Sequence, residues 1–164
     1  FPDDPIVGEE FGVKQGSSPW RWILDPIDGT KSFITGVPLY GTMVGVDFEQ
    51  QATIGVLYFP GLAAGIYAAK GEGAWHFQGS AEPQRAKVSS TSKLSDGVFV
   101  TSQVDTFAAR SSAAAFEEFQ KRAYVTRTWG DCYGYYLVAT GRAVAMVDPL
   151  MSIWDAAALQ PIME

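Results

Sequence analysis

The rhythm of the apolar runs restricts this chain more than anything else in it. Between residues 39 and 77, short runs rich in strand-forming residues alternate with polar or glycine-rich breaks: Leu39 to Phe48, Thr53 to Phe59, Ile66 to Lys70 and Ala74 to Phe77, with Glu49-Gln50-Gln51 and Gly71-Glu72-Gly73 between them. Runs of that length, bounded that way, are strands joined by tight turns. The spacing predicts an antiparallel meander, preceded by a strand from Trp20 to Leu24 and a turn over Asp25 to Thr30. After a polar connector at Ala81 to Lys87 the rhythm changes. Strands at Val98 to Thr101, Tyr124 to Thr128 and Ala143 to Val147 alternate with helices at Ala108 to Lys121, Cys132 to Thr140 and Ile153 to Glu164. That alternation is the α/β signature. Two lobes are expected: α+β over residues 1–83 and α/β over 84–164.

Composition narrows the function. Of 164 residues, 47% are hydrophobic and 18% charged, the balance of a packed globule and not of a disordered chain. The net charge of −6 argues against a nucleic-acid surface, which needs clustered Lys and Arg. It leaves phosphorylated substrates open, because a bound cation supplies positive charge locally. Cys132 is the one cysteine, so no internal disulfide forms. No apolar run approaches the ~20 residues of a membrane span. These features fit a reducing, cytoplasmic compartment. The chain opens at Phe1 and stops at Glu164 inside a predicted helix. It reads as part of a longer protein.

Asp25 and Asp28 lie three apart across a Pro-containing turn, which brings both carboxylates toward one point. Two carboxylates so close repel unless a cation separates them, and hard divalent ions take oxygen ligands. The carbonyl of Ile27 lies between them as a further donor. Gly29 and Thr30 follow, opening a short helix whose free N–H groups suit an anion. Asp25-Pro26-Ile27-Asp28-Gly29 also makes a good plain turn. Glu9 and Glu10 follow Gly8 and form either a site or a solvated acidic loop. Asp131 reads as a helix cap, Asp148 as a turn residue and Asp155 as an acid favoured by a helix N-terminus, if none of them binds a ligand. His76 and Cys132 read as structural, since no nucleophile elbow accompanies them.

Trp22-Ile23-Leu24-Asp25-Pro26-Ile27-Asp28-Gly29-Thr30 resembles the first signature of the inositol monophosphatase family, and Trp154-Asp155-Ala156-Ala157-Ala158 resembles the second. Gly8-Glu9-Glu10 is similar to the acidic segment that precedes them. Gly29-Thr30-Lys31-Ser32-Phe33-Ile34 and Gly130-Asp131-Cys132-Tyr133-Gly134-Tyr135 are most similar to the histidinol-phosphate phosphatase branch. The resemblance implies an α/β fold, a layered sandwich of the sugar-phosphatase kind with an α+β lobe and an α/β lobe, here truncated. It implies Mg2+ held by Glu9, Asp25, the Ile27 carbonyl, Asp28 and Asp155. It implies catalytic roles for Glu9, Asp28 and Thr30, and a phosphate resting on Gly29 and Thr30. Arg127, Gly130, Asp131, Asp148 and Asp155 are its substrate-binding positions. The expected activity is Mg2+-dependent hydrolysis of a small phosphorylated metabolite, histidinol phosphate, in histidine biosynthesis. No nucleic acid or membrane partner is expected, and a homodimer is a family expectation. Inositol phosphate, a sugar bisphosphate and a 3′-phosphonucleotide are the rival substrates; an inactive scaffold or dimerisation module is the rival of another class.

Overall fold

The computed structural model describes residues 1–164. The first sheet has eight strands: β1 (Ile6–Gly8), β2 (Gly12–Lys14), β3 (Trp20–Asp28), β4 (Gly41–Phe48), β5 (Gln51–Phe59), β6 (Ala64–Ala69), β7 (Gly73–Gln78) and β8 (Gln84–Arg85). Their order is β2-β1-β3-β4-β5-β6-β7-β8. From β3 to β8 every neighbour is antiparallel, which is the meander expected from the sequence. β1 instead lies parallel to β3, with Gly8 opposite Leu24. A short helix, α1 (Thr30–Ile34), leaves the end of β3.

The second sheet is parallel, with β9 (Val98–Val100) between β10 (Val125–Arg127) and β11 (Ala145–Met146). Two helices, α2 (Asp105–Ala109) and α3 (Ala113–Arg122), connect β9 to β10, and α4 (Asp131–Ala139) connects β10 to β11. The single helix expected over 108–121 is therefore two. Ser111 adopts a φ of 55°, a left-handed conformation that no helix continues through. Phe116 and Phe119 do share one face of α3: Phe119 stacks on Phe99 of β9 at 4.8 Å, and Phe116 meets Phe107 of α2 at 5.1 Å.

The last helix is also divided, into α5 (Ile153–Ala156) and α6 (Leu159–Met163). Ala157 and Ala158 keep helical dihedrals. The ladder is interrupted because Pro161 has no N–H to give to the carbonyl of Ala157. The junction lies against the first sheet, at a place where two neighbouring strands both lack side chains. Gly45 and Gly55 face each other across β4 and β5. A Cβ on Gly55 would sit 2.0 Å from the carbonyl oxygen of Ala158, and one on Gly45 would sit 2.7 Å from the Cβ of Ala157. The glycine pair is a slot that Ala157 and Ala158 fill.

The core follows from this contact. Met43, Leu57, Phe59 and Ile66 of the first sheet are buried together with Cys132 and Tyr136 of α4 and Leu159 and Ile162 of α6. The two halves of the sequence share one apolar interior. The opposite face of the first sheet presents Trp20, Phe48, Ile54, Tyr58, Tyr67 and Trp75 as exposed side chains. No helix is long and apolar enough to cross a membrane.

Candidate active site

The site begins with an irregularity in β3. Asp25 pairs with Met43 and Asp28 with Gly41, so three steps along β3 match two along β4. In a regular strand, residues three apart point to opposite faces. The extra residue of a β-bulge returns Asp28 to the side of Asp25. Pro26 suits a bulge, where no ladder N–H is required. The sequence reading of a turn here is thus corrected: the strand runs on to Asp28. Its local bonds are of the turn kind, since Ile27 N–H donates to Asp25 Oδ1 at 3.1 Å and the Thr30 hydroxyl donates to the Ile27 carbonyl at 3.0 Å.

Asp155 arrives from the other end of the chain. It is the third residue of α5, and Ser152 N–H donates to its Oδ2 at 2.6 Å in a capping box. One carboxylate oxygen is committed to the helix end. The glycine slot under Ala157 and Ala158 fixes how far α5 approaches β3. One oxygen from each of Asp25, Asp28 and Asp155 falls within 4.8 Å of the others.

No ion pair relieves this cluster. Burial pushes Asp25, 1% exposed, up to about 8, with the charges of Asp28 and then Glu9 adding to the shift. Burial also raises Asp28, to about 6, and the charges of Asp131 and Asp155 act the same way. The Cys132 N–H, which donates to Asp28 Oδ2 at 2.5 Å, opposes that rise. Three converging carboxylates with no cationic partner are an oxygen-only donor set, which fits a hard divalent cation.

The cluster opens into a cavity of about 750 Å³. Glu9, Gly29 and Thr30 line it, as do Asp131 and Asp148. Glu9 is exposed and stands beside Asp25, but outside the three-carboxylate group. Gly29 takes a φ of 78°, and a Cβ there would come within 3.2 Å of Asp131 Oδ2. Asp131 is the first residue of α4 and does not cap it; Gly130 occupies the cap position. Asp148 is more than a turn residue: Ser102 N–H donates to its Oδ1 at 3.0 Å and the Ser102 hydroxyl to its Oδ2 at 2.8 Å. Burial raises both Asp131 and Asp148, against the bonds from Ser102.

Two positions named from the sequence lie elsewhere. Arg127 is outside the cavity: its Nη1 donates back to the Thr126 carbonyl at 2.8 Å, and its guanidinium lies 5.6 Å from the Trp129 ring. Gly130 is buried behind the cavity wall, against Ser102. Cys132 is buried and its thiol is pushed up by desolvation and by Asp28, the state of an inert core cysteine. His76 lies in β7 with its ring 6.4 Å from Tyr136, away from the cavity. Ser102, Lys31 and Tyr135 line the cavity without having been singled out as site residues. Only Ser102 had a readable signal: it directly follows the first predicted strand of an α/β alternation, where such folds place their ligands.

The model of the inositol monophosphatase family matches residues 1–164, the whole chain. The chain belongs to the inositol monophosphatase family. Within it, a histidinol-phosphatase of Chlorobaculum parvum is 42% identical over 164 residues, 100% of this chain and 61% of that protein. A histidinol-phosphatase of Streptomyces coelicolor is 34% identical over 96% of this chain and 60% of its own length. Among solved structures, Thermotoga maritima IMPase superposes with a TM-score of 0.80 at 29% identity, covering 97% of this chain and 59% of that one. The chain thus spans about three-fifths of the length of these family members.

Proposed function

We propose that the full-length protein is a Mg2+-dependent phosphomonoesterase, and that its substrate is histidinol phosphate on the route to histidine. The observation that carries this reading is the presence of two carboxylate groupings in one cavity. Asp25, Asp28 and Asp155 converge with no cation between them. Asp131 and Asp148 form a second pair, tied together through Ser102. The first grouping suits a divalent metal ion, with Glu9 and the Ile27 carbonyl as neighbouring donors. The second suits an ammonium group. Histidinol phosphate is an ester with such a group, whereas inositol phosphate offers only hydroxyls. The names of the two histidinol-phosphatase relatives support the same choice.

A bound divalent cation supplies Lewis acidity toward the phosphoryl oxygens and lowers the pKa of a water in its shell. The residues of the chain supply position. Gly29 lines the cavity just before α1, and the Thr30 hydroxyl, now on the Ile27 carbonyl, lies at the same edge. Asp155 is oriented by the Ser152 N–H. Asp131 and Asp148 hold the amine of the substrate, and charge-assisted bonds of that kind discriminate strongly against a ligand lacking the donor.

The test compares kcat/KM of the full-length protein for histidinol phosphate and for inositol phosphate with Mg2+ present. A preference for histidinol phosphate of about 100-fold or more is expected. Equal or better use of inositol phosphate refutes the substrate, and turnover independent of Mg2+ refutes the metal.

A further inference from the structure

We propose that Ser102 is the specificity-positioning residue of this cavity: it fixes the Asp131–Asp148 pair in the arrangement that receives an ammonium group. The proposal rests on the amine-bearing substrate advanced above and goes beyond it to what organises the pair. Ser102 lies two residues past the end of β9, the central strand of the parallel sheet. The chain leaves β9 for β10 on one side and reaches β11 on the other. The carboxyl end of such a strand is where parallel sheets open a crevice.

Three bonds meet at Ser102. Its N–H and its hydroxyl each take one oxygen of Asp148, at 3.0 and 2.8 Å. Its hydroxyl oxygen accepts the N–H of Asp131 at 2.6 Å. A hydroxyl has one proton to give, and Asp148 receives it, so the relay runs one way, from Asp131 N–H through Ser102 to Asp148. Gripped at both oxygens, the Asp148 carboxylate cannot rotate about its last bond. Each oxygen keeps a lone pair for a ligand.

The approach of Asp131 is as closely specified. A Cβ on Gly130 would lie 2.3 Å from the Cα and N of Ser102, so α4 starts in direct contact with the serine. Asp131 holds a φ of 52°, an uncommon conformation for a residue with a side chain, and its N–H bond to Ser102 fastens it there. That conformation sends its Oδ2 toward Gly29. Ser102 is the single side chain hydrogen-bonded to both members of the pair. Fixing two carboxylates before the ligand arrives removes the ordering cost from binding.

The experiment uses Ser102→Ala and Ser102→Thr in the full-length protein, with Ser102→Cys as a volume-keeping substitute should the alanine variant fail to fold. The readout is the ratio of kcat/KM for histidinol phosphate to that for inositol phosphate. Ser102→Ala should lower this ratio about tenfold, through KM for histidinol phosphate, and Ser102→Thr, which keeps the hydroxyl, should restore most of it. A crystal structure of the alanine variant should show the Asp148 carboxylate turned from its place. A ratio within about twofold of wild type, or an equal loss for both substrates, overturns the proposal, since a merely structural residue would act on both alike. A wild type without preference refutes the substrate reading. The positioning claim is then judged on the crystal structure, where an unmoved Asp148 overturns it and a displaced one upholds it.

Discussion

Metal binding by this chain should depend steeply on pH, in a direction and by an amount that the carboxylate cluster fixes. Asp25 titrates at about 8 and Asp28 at about 6 when no ion is bound, mainly because both are buried among other acids. In the unfolded chain both return to the ordinary carboxylate range. Their folded values are raised, so the metal-free fold binds protons more tightly than the unfolded chain does. It loses stability as pH climbs from about 4 toward 8. A divalent ion reverses the balance, because it needs both groups ionised. At pH 6 it must displace about one and a half protons, about one from Asp25 and about half of one from Asp28; at pH 8 it displaces about half a proton, from Asp25. The apparent affinity should therefore improve about 100-fold between pH 6 and pH 8, or about 2.7 kcal/mol. Isothermal titration of Mg2+ at pH 6, 7 and 8 in two buffers of different ionisation enthalpy reads the affinity and the protons released together. Asp25→Asn should flatten the dependence while weakening the site. An affinity that changes less than about threefold across this window, with no protons released, refutes the reasoning.

Asp155→Asn should reduce turnover of the full-length protein by about 100-fold or more in Mg2+, because the amide oxygen can still accept the Ser152 N–H while its NH2 is turned on the cluster. The metal-free melting temperature should hold or rise, since a like charge has gone, and near wild-type turnover would remove Asp155 from the metal site. Gly55→Ala drives a Cβ to within 2.0 Å of the Ala158 carbonyl, so the α5–α6 junction must lift from the sheet. Urea denaturation should register a loss of about 2 kcal/mol, and Mg2+ affinity should fall with it because Asp155 rides on the same junction. An unchanged midpoint would mean that the contact is looser than the structure has it.

The strands of the first sheet were legible because they sit between strong breaks, and a meander is what consecutive short strands with tight turns make. The helix breaks were not. Ser111 is an ordinary residue in an Ala-rich run, and nothing local marks its left-handed φ, which accompanies the packing of Phe107 on Phe116. The bulge at Pro26 was hidden for a related reason. Asp-Pro-Ile-Asp-Gly reads as a turn in any context, and only pairing with Met43 and Gly41 on β4 keeps it within the strand. The glycine slot was invisible too, because Gly45 and Gly55 gain their meaning from each other and from an alanine run a hundred residues away. The cluster residues were legible as motifs, and Asp131 and Asp148 as charges. Arg127, a substrate-binding position only through the resemblance, lies outside the cavity, with its side chain on Thr126 and Trp129.

The amino end of α4 joins the two carboxylate groupings into one device. Consecutive backbone N–H groups serve different masters there. Asp131 N–H goes to Ser102 and through it to Asp148, while Cys132 N–H goes to Asp28 at 2.5 Å. Neighbouring N–H groups in a regular first turn point roughly along the helix axis and would serve one acceptor region. The left-handed Asp131 separates them, sending one toward the second sheet and the other toward β3. Backbone strain of this kind persists where the surroundings over-determine it. Here the surroundings are Gly130 pressed on Ser102, the buried Cys132 and the bond to Asp28. A shift of α4 would therefore disturb both carboxylate groupings of the cavity together. One helix terminus is bonded to both groupings, so their separation is set there.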